Sequence, residues 1–220
     1  MCGRFTLTVD PADLQMMLEL GEVPLELQPR YNIAPTQPVA VVASAENRKV
    51  EIFQWGLIPS WSKDPSMAGR MINARAETLH EKPAYRVPFA RKRCLILADG
   101  FFEWKEQGKG KQPYFIQLQS REPFAFAGLW DHWISPEGDE RRTCSIITCD
   151  PNNLMAEIHN RMPVILSDDR ARKWIEPGPI TAEALTEFTE PFPATDMVAH
   201  PVSTLVNNPR NDSPAVLGEG

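Results

Sequence analysis

Arg93-Cys94-Leu95-Ile96-Leu97-Ala98-Asp99-Gly100-Phe101-Phe102-Glu103-Trp104 sets two apolar runs on either side of an Asp-Gly pair. Short apolar runs bounded by turn residues read as strands, and Asp-Gly between two of them is a strong hairpin signal. The stretch predicts strands over residues 94–98 and 101–105 joined by a tight turn. Working outward, residues 39–43 and 50–57 read as strands about a polar turn at Glu46-Asn47-Arg48. Residues 114–119, 124–133 and 143–148 are further strands. Helices are expected over 11–20, with Asp10 as N-cap and Pro11 at the first helical position, and over 151–158 behind Asp150. Two more are expected, from Ser167 or Asp168 to Trp174 and from Thr181 to Phe188. The tail after Val202 reads as loop. The 21 prolines cut the chain into short segments and exclude a long-helix bundle. The expectation is one α+β domain over residues 1–220, with central, mostly antiparallel and barrel-like sheets and short flanking helices.

The hydrophobic fraction of 42% and charged fraction of 24% are those of an ordinary globular protein. No stretch approaches the roughly 18 apolar residues of a membrane span. The start, Met1-Cys2-Gly3-Arg4-Phe5, has neither a signal-peptide core nor a transit segment, so a cytoplasmic location is expected. Cys2, Cys94, Cys144 and Cys149 form no C-x-x-C pair, and the four histidines do not sit at zinc spacing. No metal site is expected, and with no glycine-rich phosphate loop, no cofactor. Cys94 and Cys144 fall in apolar runs and read as inert core thiols. The net charge of −6 is unevenly spread. Residues 70–111 hold 10 basic and 5 acidic side chains, a local excess that can hold a short phosphate backbone.

Once Met1 is removed, Cys2 carries a free α-amine and a thiol on adjacent carbons. A free α-amine ordinarily titrates at about 7.7–8.0, so roughly a tenth is neutral at pH 7. The thiol, ordinarily at about 8.5, is a second nucleophile within ring-closing reach. Such an aminothiol condenses with an aldehyde to an imine and then closes a five-membered thiazolidine. The ring-opened abasic site of DNA is an aldehyde of this kind. Met-Cys-Gly also begins the class II glutamine amidotransferases, whose terminal cysteine attacks an amide.

The motifs beyond the terminus separate these readings. They are Arg30-Tyr31-Asn32-Ile33-Ala34-Pro35, Trp55-Gly56-Leu57-Ile58-Pro59, Ile72-Asn73-Ala74-Arg75-Ala76-Glu77-Thr78, the opening stretch, Ile158-His159-Asn160-Arg161-Met162-Pro163 and His200-Pro201-Val202-Ser203. In this order, from Cys2 to about Asn211, the chain resembles the SRAP family of SOS response-associated peptidases, the abasic-site processing proteins. No Asn-Gly-Glu-type element of the amidotransferases is present. The resemblance implies a sensor and shield of abasic sites in single-stranded DNA, or at junctions with duplex on one side. It implies a covalent thiazolidine link through Cys2, release of the chain's own Met1, and a monomer associated with the nucleoid when bound to damaged DNA.

The resemblance also assigns roles. Glu103 is a candidate proton shuttle, and His159 a candidate acid that opens the sugar ring or reverses the link. Asn73 holds the sugar or orients the Cys2 amine. Arg75, two residues on and on the same strand face, holds a phosphate, as Arg4 and Arg161 can. Trp61 and Trp104 stack on bases flanking the lesion. Ser62 stands where some members carry a second aromatic. Pro35 and Thr148 shape the site and touch the backbone. Lys82 and Arg86 are weaker DNA contacts, and the run Arg91-Lys92-Arg93 reads as a solvated face with partial DNA contact. Trp55, Trp130, Trp133 and Trp174 read as core, and His80, His132 and His200 as structural.

Overall fold

The computed structural model describes residues 2–24 and 26–218. In chain order the first elements are β1 (Arg4–Leu7), α1 (Pro11–Met17), β2 (Arg30–Ile33), β3 (Pro38–Val42), β4 (Val50–Trp55), β5 (Asn73–Arg75) and α2 (Pro83–Arg91). The centre is β6 (Arg93–Ala98), β7 (Gly100–Gln107), β8 (Gly110–Leu118), β9 (Phe124–Ile134) and β10 (Glu140–Cys149). Then follow α3 (Asn153–Ala156), β11 (Met162–Pro163), β12 (Ile165–Leu166), α4 (Asp168–Ile175), α5 (Ala182–Phe188) and β13 (Met197–Pro201).

Five strands close into a barrel in the order β10-β4-β3-β6-β9 and back to β10. Its pairs are antiparallel except β4 with β10. The short β5 runs parallel to β10, with Asn73 opposite Ile146. A second, antiparallel sheet has the order β13-β8-β7-β1-β2. The two share one core. Phe5 of β1 meets Trp55 edge-on at 5.1 Å and Phe126 at 5.7 Å, and Phe101 of β7 meets Phe126 at 6.0 Å. All four rings are buried, each contributing about 1.5–3 kcal/mol of transfer free energy. The α+β class and the barrel-like sheets are as expected. No helix among the described residues is long and apolar enough to cross a membrane.

The predicted hairpin over 93–105 does not form. β6 lies between β3 and β9 in the barrel, while β7 lies between β1 and β8 in the other sheet. The chain crosses between sheets at Asp99. The Asp99 carboxylate accepts from the Thr6 hydroxyl and from the amide and hydroxyl of Thr8, and its own N–H donates to the Thr6 carbonyl at 3.0 Å. Gly100 serves close packing, since a Cβ there would lie 2.1 Å from Cζ of Phe115. The Asp-Gly pair thus marks an anchor and a close approach instead of a two-residue turn.

Other boundaries shift for local reasons. α3 is capped by Asn152, whose side chain accepts from Met155 N at 2.9 Å, while the Asp150 carboxylate pairs with Arg161. α2, which carries Pro83 at its start and Pro88 inside, has no counterpart among the expected helices. α1 stops at Met17, and α5 starts behind Thr181 as expected. The tail is not a loose loop. It forms 3-10 turns at Thr204–Asn207 and Pro214–Leu217, whose Val206 and Val216 are buried in a cluster with Phe102, Phe115 and Val202.

Because Phe115 occupies the space above Gly100, Gly100→Ala is expected to destabilise the fold by about 1–3 kcal/mol in urea unfolding. Phe115→Leu in the same chain should cost less than the sum of the two single changes.

Candidate functional site

β1 runs between β2 and β7, with Arg4 opposite Phe102 and Phe5 opposite Phe101. Cys2 has no exposed surface. Its carbonyl accepts a 2.8 Å hydrogen bond from Nδ2 of Asn73 at the head of β5. Asn73 is itself held through its backbone carbonyl, which accepts from the Tyr85 hydroxyl of α2 at 3.1 Å. Oδ1 of Asn73 is buried and has no partner among the described residues. Burial, and after it the Glu103 carboxylate, push the Cys2 thiol up to about 12. Glu103 is buried on β7, with Oε1 near the Trp104 amide at 3.4 Å.

His159 follows α3. Its Nδ1 accepts from the Arg161 amide at 3.1 Å, which assigns the proton of the neutral ring to Nε2. Trp104 and His159 line one cleft of about 470 Å³, together with Lys105, Lys111 and Asn160. A larger cavity, of about 840 Å³, lies between residues 43–46, the end of α2 and residues 175–179, and of the residues expected at the site only Arg91 and Arg93 line it.

The expected DNA contacts divide into free and engaged groups. Trp61 is 62% exposed, and the Ser62 beside it is buried, with its carbonyl accepting from Trp133 Nε1. Arg75 and Lys82 are exposed, and Pro35 is half-buried in the turn after β2. Asn73 and Arg75 flank the buried Ala74, so they share a strand face. Thr148 has no exposed surface, and its hydroxyl donates to the Ala74 carbonyl at 3.4 Å. Arg161 is also engaged. Its guanidinium is paired with both oxygens of Glu77, with Asp150 and with the Thr148 carbonyl. Burial pulls the Glu77 carboxyl up, but the Arg161 hydrogen bond and charge outweigh it and leave the group below the usual range. Arg4 donates to Asn32 Oδ1 at 2.8 Å and to the Val206 carbonyl at 2.7 Å, and lies over the Trp104 ring.

Arg93 departs from its expected solvated position. It is buried, and it donates to the Phe89, Trp174 and Glu176 carbonyls at the ends of α2 and α4. Lys92 pairs with Asp131, and Arg86 and Arg91 are exposed. Trp55, Trp133 and Trp174 are core, whereas Trp130 is half-buried. Cys94 and Cys144 are buried, and burial raises both thiols. His132 faces Glu140, His200 packs on Phe115 and His80 lies beside Glu81.

Sequence reasoning missed Asn32, Tyr85, Asn207 and Asp212. Asn32 had a signal, as a lone amide between apolar neighbours in a strand. The other three act across contacts with no local mark, such as the Asn32 amide donating to Asp212 from 180 residues away.

The family described as SOS response associated peptidase (SRAP) matches residues 1–209. The Bacillus subtilis protein named abasic site processing protein YoqW is 45% identical, the match covering 99% of each chain. The Xenopus tropicalis abasic site processing protein HMCES is 33% identical over 99% of this chain and 78% of its own. A crystal structure of a Bacteroides thetaiotaomicron protein superposes with a TM-score of 0.87 at 28% identity, covering all of both chains. By these matches the chain belongs to the SRAP family.

Proposed function

We propose that this chain processes abasic sites in DNA by forming a covalent thiazolidine between Cys2 and the opened sugar of the lesion. The observation that carries this reading is the fixed position of Cys2. Its carbonyl is held by Asn73 and its thiol feels Glu103, the residue next to the Trp104 that lines the His159 cleft. The relatives named abasic site processing proteins support the substrate.

The reaction begins when Met1, which lies outside the described residues, is cleaved by the chain's own peptidase activity to free the Cys2 amine. The sugar opens to its C1′ aldehyde as the C1′–O4′ bond breaks, with O4′ taking a proton from the protonated imidazole of His159 and the C1′ hydroxyl losing its own to water. The amine adds to C1′, and loss of one water gives the imine. The thiol then adds to the imine carbon, and its proton passes to the ring nitrogen, with Glu103 as the relay. The amine reacts first, because the sulfur closes the five-membered ring only on an imine carbon already formed beside it. The ring resists hydrolysis far better than an open imine, so the lesion stays shielded. Single strands are favoured because a stacked duplex obstructs the path of C1′ to a fixed terminus. Arg75, Lys82 and Trp61 supply exposed charge and a stacking surface.

Intact mass measurement after mixing with a single-stranded abasic oligonucleotide should give the chain without Met1 plus the oligonucleotide, less one water. Cys2→Ala is expected to give no heat-stable adduct, and an unchanged adduct would sink the reading. Turnover of glutamine or a peptide in the absence of DNA would favour an amide hydrolase instead. Glu103→Gln should slow adduct formation by about 100-fold or more, read in single-turnover gels. Trp61→Ala should weaken binding of an unreactive abasic analogue about 10-fold, within the range for one lost stack.

A further inference from the structure

The turn at Thr204–Asn207 is held to β2 by more contacts than a surface turn needs. Asn32, fully buried, donates Nδ2 to the Asn208 and Asn211 carbonyls at 3.1 and 2.7 Å and lies 3.3 Å from the Val206 carbonyl. The Asp212 carboxylate accepts from the Tyr31 and Asn32 amides and from Arg30. Asn211 Nδ2 donates to the Leu205 carbonyl at 2.8 Å, and Ser203 Oγ accepts from the Leu205 amide. From this clamped turn two groups reach the site. The Val206 carbonyl takes Arg4, and Oδ1 of Asn207 takes the Trp104 indole N–H at 2.8 Å. Arg4 lies over the same indole, 6.0 Å from its centroid.

Trp104 is half-buried and lines the cleft that it shares with His159. An indole at such a wall can turn about its side-chain bonds, and a stacking surface that turns loses part of its orientation on each encounter. The clamp removes that freedom at two points, the ring edge and the ring face.

We propose that Asn207 is a positioning residue for the DNA step, fixing Trp104 as the platform for a nucleobase beside the abasic site. This rests on the abasic-site reading above. Asn207 touches no reacting atom and acts through Trp104. It is itself exposed, so replacing it leaves the core intact.

The test titrates the full chain with a single-stranded oligonucleotide carrying a tetrahydrofuran abasic analogue, which cannot crosslink. Binding is read from the fluorescence quench of Trp104, taken as the difference from Trp104→Phe. Asn207→Leu, which lacks the acceptor, should raise the half-saturating concentration about 3- to 10-fold and reduce the quench. Its crosslinking rate at saturating abasic DNA should stay within about twofold of the parent, with an unchanged melting temperature. Asn207→Asp keeps an oxygen acceptor and should restore the quench at high salt, where its added charge is screened. Parent-like binding and quench in Asn207→Leu would overturn the proposal, as would a loss confined to the saturated rate. Failure of the parent to form any adduct would count against the abasic-site chemistry, while the analogue titration would still decide the role of Asn207.

Discussion

In the reaction proposed above a chain terminus has to be held still, and β1 does this. Chain ends fray unless they are built into a sheet. β1 is paired on both edges, by β2 and β7, and Phe5 locks it from below into the ring cluster shared with the barrel. Asp99 adds a polar lock by gathering Thr6 and Thr8. The strand that starts two residues after Cys2 is thus held on both edges and on one face. The same Asp99 carries the chain from the barrel into the second sheet. One carboxylate couples the crossover that builds the fold to the strand that leads out from Cys2.

On the proposed reading, burial and Glu103 hold the Cys2 thiol up while Met1 is in place, and an imine formed on the freed amine gives it a local target. Asn73 bridges the barrel and the second sheet by holding the Cys2 carbonyl from β5. Arg4 and Arg161 have partners before any DNA arrives. Arg161 ties β10 to the segment around Glu77, and Arg4 ties β1 to the C-terminal turn. These guanidiniums act first as struts of the cleft, which leaves Arg75, Lys82 and Trp61 as the open surface groups.

Much was legible in the sequence because it is written in local pattern. The apolar runs located β3, β4, β6, β8, β9 and β10, and the Asp10-Pro11 and Thr181 signals located two helix starts, since strands and caps depend on neighbours a few residues away. The ordered motifs identified the family and brought Cys2, Asn73, Glu103 and His159 into consideration. The aminothiol needs no fold to be recognised, because its chemistry belongs to one residue at one end of the chain.

What tertiary structure alone decided depends on contacts between distant segments. Asp-Gly looks like a turn in any local window. Only the arrival of Thr6, Thr8 and Phe115 makes it an inter-sheet crossover. Arg93 reads as part of a solvated run until burial and its carbonyl partners place it inside. The C-terminal turn reads as loop until Asn32 and Asp212 clasp it and Asn207 takes the Trp104 edge. Sequence specifies which groups are present, because side-chain chemistry is local. Which of them are free, buried or paired depends on segments as far apart as Arg4 and Val206, 202 residues along the chain, and only their packing fixes it.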